Sequence, residues 1–352
     1  PKEDLSKQHL REFALSGIHA ELFEKDVAGL FDRHAVTIIN IQRIREESGD
    51  KTVAVEAFEG NNLVLVDEGH RGSSGDEWKR MRDRLCERGF AFEYSATFGQ
   101  AVSGKKELEQ EYAKCILFDY SYKYFYNDGY GKDYRILNLG DDSDPSVRTL
   151  YMTACLLTFY EQLKLFRGEE RAMREFRIEK PLWIFVGKTV SASAKKEKEQ
   201  EVSDVLDILL FLAGFVRERN ACVAMIRRLL GGSPGLTDGE GREIFRSSFT
   251  YLATLPLGPE EMYRDILRTV FNSASAEAML HVCDLQGAEG EIALKLGAGE
   301  PFGVINVGDT GKLCGLCEAY PERMVVSSQP FSGSLFHRLD DRGSNIHLLI
   351  GS

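Results

Sequence analysis

Residues 61–100 read NNLVLVDEGHRGSSGDEWKRMRDRLCERGFAFEYSATFGQ, with two apolar runs on either side of an amphipathic segment. The runs cover residues 63–67 and 90–94, and each has the length of a buried strand. Residues 76–87 between them repeat apolar side chains at helical spacing, at positions Trp78, Met81 and Leu85. The spacing of about 25 residues leaves room for the crossover helix that parallel strands require. The pattern therefore predicts a βαβ unit whose first strand is fully buried.

Polar or small residues stand at the end of each apolar run, where the predicted strands end. Asp67 and Glu68 come at the end of the first, and Ser95, Ala96 and Thr97 follow the second. The carboxyl ends of parallel strands meet at one edge of a sheet, and open α/β sheets bind their ligands there. Nucleotide hydrolysis needs one carboxylate to hold magnesium and a second to position or deprotonate the attacking water. A plain junction between strand and loop also carries Asp and Glu, so the acidic pair alone does not decide between these interpretations.

The combination of DEGH with SAT about 25 residues later resembles superfamily 2 helicases, in which the DEAD/DEAH box is followed by an element that couples ATP hydrolysis to strand movement. The longer forms DEGHRGSSGDEW and GFAFEYSATF are similar to the restriction subunit of type III restriction–modification enzymes. In the second half, KPLWIFVGKTVSAS, GVINVGD and SSQPFSGSLFHRLDDRGSNIHLLIGS resemble strands of the second motor lobe of that family. The resemblance covers most of the 352 residues.

The resemblance implies a role for each residue of these motifs. Asp67 would be the ligand of Mg²⁺, Glu68 the catalytic carboxylate, and His70 a relay between the nucleotide site and the second lobe. Ser95, Ala96 and Thr97 would form the coupling element. A loop histidine whose ring is satisfied by a backbone carbonyl is the alternative interpretation of His70.

The segment TIINIQR, residues 37–43, resembles the helicase segment that leads from a strand to contacts with the nucleic-acid backbone. The nucleic-acid-binding residues implied by the resemblance are Thr37, Gln42, Arg43 and Ser352. A core strand followed by the start of a helix fits residues 37–43 equally well.

The whole chain alternates short β-rich runs with helical stretches, which predicts an α/β fold with mostly parallel sheets. The remaining predicted strands cover residues 36–39, 182–186, 278–282, 291–296, 303–307, 324–327 and 346–350, and the longer predicted helices cover 147–166 and 201–216. The resemblance implies two RecA-like lobes with sheets flanked by helices, incomplete at both ends of the chain. We expect a first lobe over residues 1–140 and a second over 147–352, joined by the acidic, turn-rich loop at 138–146.

The function implied by the resemblance is that of an ATP-dependent motor that couples hydrolysis to movement on double-stranded DNA. Its cofactors would be ATP and Mg²⁺, and its partners duplex DNA, held through the backbone, and a DNA-methyltransferase modification subunit. Two alternatives remain open: a non-hydrolysing scaffold that binds nucleic acid or a protein partner, and an RNA helicase of the same superfamily. The net charge of −11 does not exclude a nucleic-acid partner, because a local groove is enough to hold a phosphate backbone.

Several signals are absent from the sequence. No GxxxxGK[ST] phosphate loop occurs, since Gly187-Lys188-Thr189 has Leu182 at the required glycine position. This chain alone is therefore not expected to hydrolyse ATP at a normal rate. Cys314-x-x-Cys317 lacks a second pair of ligands and is interpreted as two core thiols. With no apolar run of membrane-spanning length, no signal peptide and an odd number of cysteines, we expect a cytoplasmic protein without membrane contact.

Overall fold

The computed structural model describes residues 2–24, 35–49, 52–69, 76–97, 99, 106–186, 195–275, 277–330, 332–339, 341 and 343–351. The chain is a mixed α/β protein that divides into two compact units, Pro1–Tyr134 and Arg135–Ser352. The acidic loop predicted to join the two lobes lies in the second unit, where the amide of Gly140 donates to the carbonyl of Thr237 at 2.8 Å.

The first unit contains short parallel strand pairs. Its helices and strands in the described residues are α1 (Lys2–Leu15), β1 (Ala20–Leu22), β2 (Val36–Ile38), β3 (Ile44–Arg45), β4 (Val53–Ala54), β5 (Leu63–Val66), α2 (Asp76–Leu85), β6 (Phe90–Glu93), α3 (Lys106–Tyr112) and α4 (Tyr122–Asn127). The strands pair as β1 with β2, β3 with β4 and β5 with β6, each pair parallel. Within the described part of this unit the strands therefore form three separate two-stranded sheets, each of them parallel, as expected of an α/β fold with mostly parallel sheets.

Residues 61–100 form the predicted βαβ unit. β5 and β6 pair in parallel from Leu63 opposite Phe90 to Val66 opposite Glu93, and α2 connects them. Helix α2 covers one face of this pair, because Met81 and Leu85 are buried in a small cluster that also includes Val64.

The other face of the β5–β6 pair is open, which corrects the expectation of a fully buried first strand. Leu63 is 66% exposed, Leu65 50% and Phe90 56%. Residues 63 and 65 share a face because side chains alternate along a strand, so α2 can cover only their neighbours Val64 and Val66. An uninterrupted apolar run does not reveal whether one or both faces of its strand are covered.

The second unit is built on a six-stranded, mostly parallel sheet. Its elements are α5 (Pro145–Gly168), α6 (Glu170–Glu175), β7 (Trp183–Val186), α7 (Lys195–Arg217), α8 (Arg219–Leu230), α9 (Thr250–Thr254), α10 (Pro259–Thr269), β8 (Leu280–Leu285), β9 (Glu291–Leu296), β10 (Gly303–Asn306), α11 (Thr310–Cys317), β11 (Met324–Gln329) and β12 (Leu348–Gly351). The strand order is β11-β8-β9-β10-β12-β7. Only β9 runs against its neighbours, β8 and β10, and the other pairings are parallel.

One large hydrophobic core holds the second unit together. Helix α5 begins where the carboxylate of Asp144 accepts the amide of Ser146 at 2.8 Å, and Pro145 occupies its first turn, where no amide donor is needed. Its side chains Leu156, Leu157 and Tyr160 are fully buried in one cluster with apolar side chains of α7, α8 and α10. Both long helices extend beyond their predicted limits, α5 by two residues at each end and α7 by six residues at its start and one at its end.

The Cys-x-x-Cys pair lies in helix α11. Cys317 is buried, Cys314 is half-buried, and both thiols are free. Burial raises the pKa of Cys314 to about 11 and that of Cys317 to about 12, which disfavours the thiolate needed for metal binding or redox exchange. Their interpretation as packed thiols agrees with this environment.

Candidate functional site

The carboxyl ends of β5 and β6 lie side by side and remain hydrogen-bonded beyond the strands. The amide of Tyr94 donates to the carbonyl of Val66, and the amide of Gly69 donates to the carbonyl of Tyr94, both at 2.9 Å. A side chain at position 69 would meet the Cβ of Glu93 at 2.8 Å, so this close approach requires glycine. Of the motif residues, Asp67 and Glu68 follow β5 directly, and Ser95 follows β6 after a single residue. They therefore share one edge of the strand pair.

The chain turns sharply at the two carboxylates. Glu68 has a φ of +52°, in the left-handed region, and its amide donates to Oδ1 of Asp67 at 2.9 Å. A residue other than glycine in a sparsely populated backbone region costs about 1–3 kcal/mol, and such strain is concentrated at functional sites. Both Asp67 and Glu68 are exposed to solvent.

His9 of helix α1 is a neighbour of the site that the sequence did not indicate. Its Nε2 lies 3.2 Å from Oδ2 of Asp67, and both side chains are partly exposed. No spacing pattern connects position 9 with position 67, so only the folded chain reveals this contact.

A buried ion pair supports the end of β6 from the side of helix α2. Arg82 pairs with Glu93, and the two side chains are only 12% and 11% exposed. Arg82 also donates to the hydroxyl of Tyr112 at 3.1 Å and to Oδ1 of Asp83 at 2.8 Å. Burial lowers the pKa of Arg82, but the hydrogen bonds to Asp83, Glu93 and Tyr112 outweigh it and hold the net pKa above the ordinary guanidinium value. These contacts fix the position of β6 two residues before Ser95.

The predicted coupling residues form a tight local turn. Ser95 is half-buried, Ala96 and Thr97 are exposed, and the amide of Thr97 donates to Oγ of Ser95 at 3.1 Å. The Ser95 hydroxyl therefore stabilises the backbone after β6. A role in coupling would be additional to this structural role.

Three of the predicted nucleic-acid-binding residues lie in or shortly after another strand of the first unit, β2. Thr37 is in β2, and Gln42 and Arg43 are in a short 3₁₀ turn, Ile41–Arg43, that follows it. The guanidinium of Arg43 donates to the carbonyl of Phe23 at 3.1 Å, so part of its hydrogen-bonding capacity is used within the unit. His70, Ser352 and Gly187-Lys188-Thr189 lie outside the described residues.

The carboxylates of Asp67 and Glu68, at the edge formed by the carboxyl ends of β5 and β6, are suited to bind a magnesium ion rather than a whole nucleotide. Magnesium is commonly held by one or two carboxylates together with substrate phosphates and water, and Asp67 and Glu68 supply such carboxylates. Across the part of the chain that the structure describes, no three His, Cys, Asp or Glu side chains are grouped as a protein-only metal site. The GxxxxGK[ST] pattern of a phosphate loop does not occur in the sequence.

Comparisons with protein-family models, with curated proteins and with solved structures found no match to this chain. Among the helices of the described ranges, none combines the length and apolar character needed to cross a bilayer.

Proposed function

We propose that this chain is part of an ATP-driven motor of the helicase superfamily 2, of the kind found in restriction subunits of type III enzymes, acting on double-stranded DNA. Its two units would correspond to two RecA-like lobes, and a DNA-methyltransferase subunit would be a protein partner. The proposal rests on the DEGH and SAT resemblance.

The observation that supports it most is the shared edge of β5 and β6. The motor chemistry requires a magnesium carboxylate, a second carboxylate and a coupling element close together, and residues 67, 68 and 95 follow neighbouring parallel strands at that edge. When bound, magnesium would neutralise phosphate charge beside Asp67. Glu68 would accept a proton from water, and the turn at residues 95–97 would respond to rearrangement of the two lobes.

The non-hydrolysing scaffold stays as a second candidate because the sequence lacks a phosphate loop. A chain of that kind would bind nucleic acid or a protein without turnover. Measuring nucleotide binding and nucleic-acid-stimulated ATP hydrolysis by the natural full-length protein separates the two. Binding of duplex DNA without any ATP hydrolysis favours the scaffold, and stimulation by RNA alone favours an RNA helicase.

Separate substitutions at Ser95 and Thr97 test the coupling role. Ser95→Ala removes the hydroxyl that accepts the Thr97 amide, so we expect a loss of about 0.5–1.5 kcal/mol in stability. Thr97→Val keeps the branched shape of the side chain and the hydrogen bond from the amide of residue 97 to Oγ of Ser95, so we expect normal stability. If Thr97 couples hydrolysis to movement, Thr97→Val should keep basal ATPase within about twofold and lower DNA translocation at least tenfold, a difference of about 1.4 kcal/mol or more.

The measurements for this pair are the melting temperature, basal ATPase and DNA translocation of the full-length protein. Thr97→Val with normal translocation would remove the coupling role from this hydroxyl. Equal losses of stability, ATPase and movement in both variants would mean that residues 95–97 only cap the strand.

A further inference from the structure

Seven aromatic side chains of the first unit form one connected cluster around helix α4. The centroid of each ring lies 5.7–6.5 Å from that of at least one other ring of the group. We call these residues the aromatic cluster: Phe118, Tyr120, Tyr122, Phe125, Tyr126, Tyr130 and Tyr134. Three of them lie in α4 and the others flank it on both sides, so one short stretch of chain builds a continuous aromatic surface.

The aromatic cluster is largely open to solvent. The exposed fraction of its members runs from 39% at Phe125 to 81% at Phe118 and averages a little over half. With about 200 Å² for a whole aromatic side chain, the cluster exposes roughly 800 Å². The largest apolar patch of a typical monomer covers about 300–600 Å², and larger patches mark sites of interaction. The cluster therefore exposes more aromatic surface than a chain without a partner ordinarily does.

Hydrogen bonds within the chain hold the rings of the cluster in place. Three tyrosine hydroxyls donate at 2.5–2.7 Å, in the pairs Tyr120 with Asp128, Tyr126 with Asp133, and Tyr122 with the carbonyl of Lys132. Because these hydroxyls are already engaged, the cluster presents its rings rather than free donors to a partner. Rings that are fixed beforehand lose little rotamer freedom on association, which lowers the entropic cost of binding.

The charges around the cluster are balanced. Residues 114–134 contain three lysines and three aspartates, all exposed, so the net charge of −11 comes from the rest of the chain. Single-stranded nucleic acid also stacks on aromatic rings, but it requires a positively charged groove for its phosphates. Asp128 and Asp133 stand at ring hydroxyls of the cluster and would repel those phosphates. A second copy of the chain fits better, because in a two-fold interface the same surface meets itself and lysines can lie opposite aspartates.

We propose that the aromatic cluster is the surface through which two copies of this chain form a dimer. Stable protein interfaces bury about 800 Å² on each partner, and their centres are enriched in Tyr and Phe. The area and the composition of the cluster both match these values. The rings of one copy pack against those of the other, and the lysines and aspartates pair around them. The proposal does not depend on the motor function, because no member of the cluster belongs to the site proposed for the motor.

Sedimentation equilibrium of the full-length protein over a range of concentrations tests the dimer. We expect a reversible equilibrium between monomer and dimer. Phe118→Ser/Tyr130→Ser removes two strongly exposed rings and should raise the dissociation constant at least about a hundredfold, because aromatic side chains carry much of the binding energy of an interface. Phe176→Ser, at an aromatic residue of the second unit that is 76% exposed, is the matched control and should leave the constant unchanged.

Hydrogen exchange of the wild type locates the interface without any substitution. The amides of α4 should exchange more slowly at high than at low protein concentration, because the dimer covers this helix. The amides of α8, whose apolar face is buried in the core of the second unit, should exchange at the same rate at both concentrations.

Four results would overturn the proposal. The first is a wild type that stays monomeric at every concentration, and the second is a dimer whose dissociation constant Phe118→Ser/Tyr130→Ser leaves unchanged. The third is a dimer that forms without any slowing of exchange in α4. The fourth is a monomer that binds a single-stranded oligonucleotide and loses this binding in Phe118→Ser/Tyr130→Ser, which would assign the cluster to nucleic acid.

Discussion

Replacing Glu68 by glutamine should abolish nucleic-acid-stimulated ATP hydrolysis by the full-length protein while ATP binding is retained. The amide keeps the size of the side chain but cannot accept a proton from water, and loss of a general base costs roughly 10²–10⁴-fold in rate. That range corresponds to about 3–5 kcal/mol of transition-state stabilisation. The left-handed backbone at this position is compatible with glutamine to the same degree as with glutamate, so we expect no change in folding.

Steady-state ATPase rates and nucleotide binding, measured with and without duplex DNA, check this prediction. Glu87→Gln changes an exposed glutamate of the same βαβ unit and should have near-normal activity. Near-normal activity in Glu68→Gln as well would assign Glu68 a purely structural role.

Replacing Arg82 by methionine should destabilise the βαβ unit by about 3 kcal/mol. The substitution leaves the carboxylate of Glu93 largely buried without its partner, and the penalty for an unpaired charge exceeds the value of the lost contact. Arg84→Met on the same helix removes an exposed pair with Glu56, so we expect a change of at most about 1 kcal/mol.

Hydrogen exchange of the β5 and β6 amides in the full-length protein measures this effect locally. The double variant Arg82→Met/Glu93→Leu should regain most of the loss, because apolar side chains replace both charges. If Arg82→Met and Arg84→Met open these strands equally, the buried pair does not hold β6 in place.

The arrangement of residues 61–100 was predictable from the sequence. Two apolar runs at a spacing that admits one helix imply parallel strands, and parallel strands carry their following residues to one edge. Each predicted strand of the chain overlaps an observed one, and the limits of β9 agree at both ends. The antiparallel direction of β9 was not predictable, since a strand reads alike in both directions and its six residues are mostly buried.

Other features were not predictable from the sequence, because they depend on contacts between residues that are far apart in the chain. His9 beside Asp67 and Tyr112 beside Arg82 join positions with no common pattern, so they follow only from the tertiary fold. The exposure of Leu63 and Leu65 was not predictable for the same reason, because whether a strand face is covered depends on elements elsewhere in the chain. Likewise, His347 in the apolar segment NIHLLI reads as an ordinary strand residue until its burial is known.

ATP hydrolysis by the natural full-length protein, measured as a function of duplex DNA concentration in the presence of Mg²⁺, tests the motor assignment most directly. We expect a low basal rate that rises saturably with double-stranded DNA and falls to background in Glu68→Gln. A rate that does not change with the concentration of duplex DNA, or one that Glu68→Gln leaves unchanged, would contradict the motor assignment.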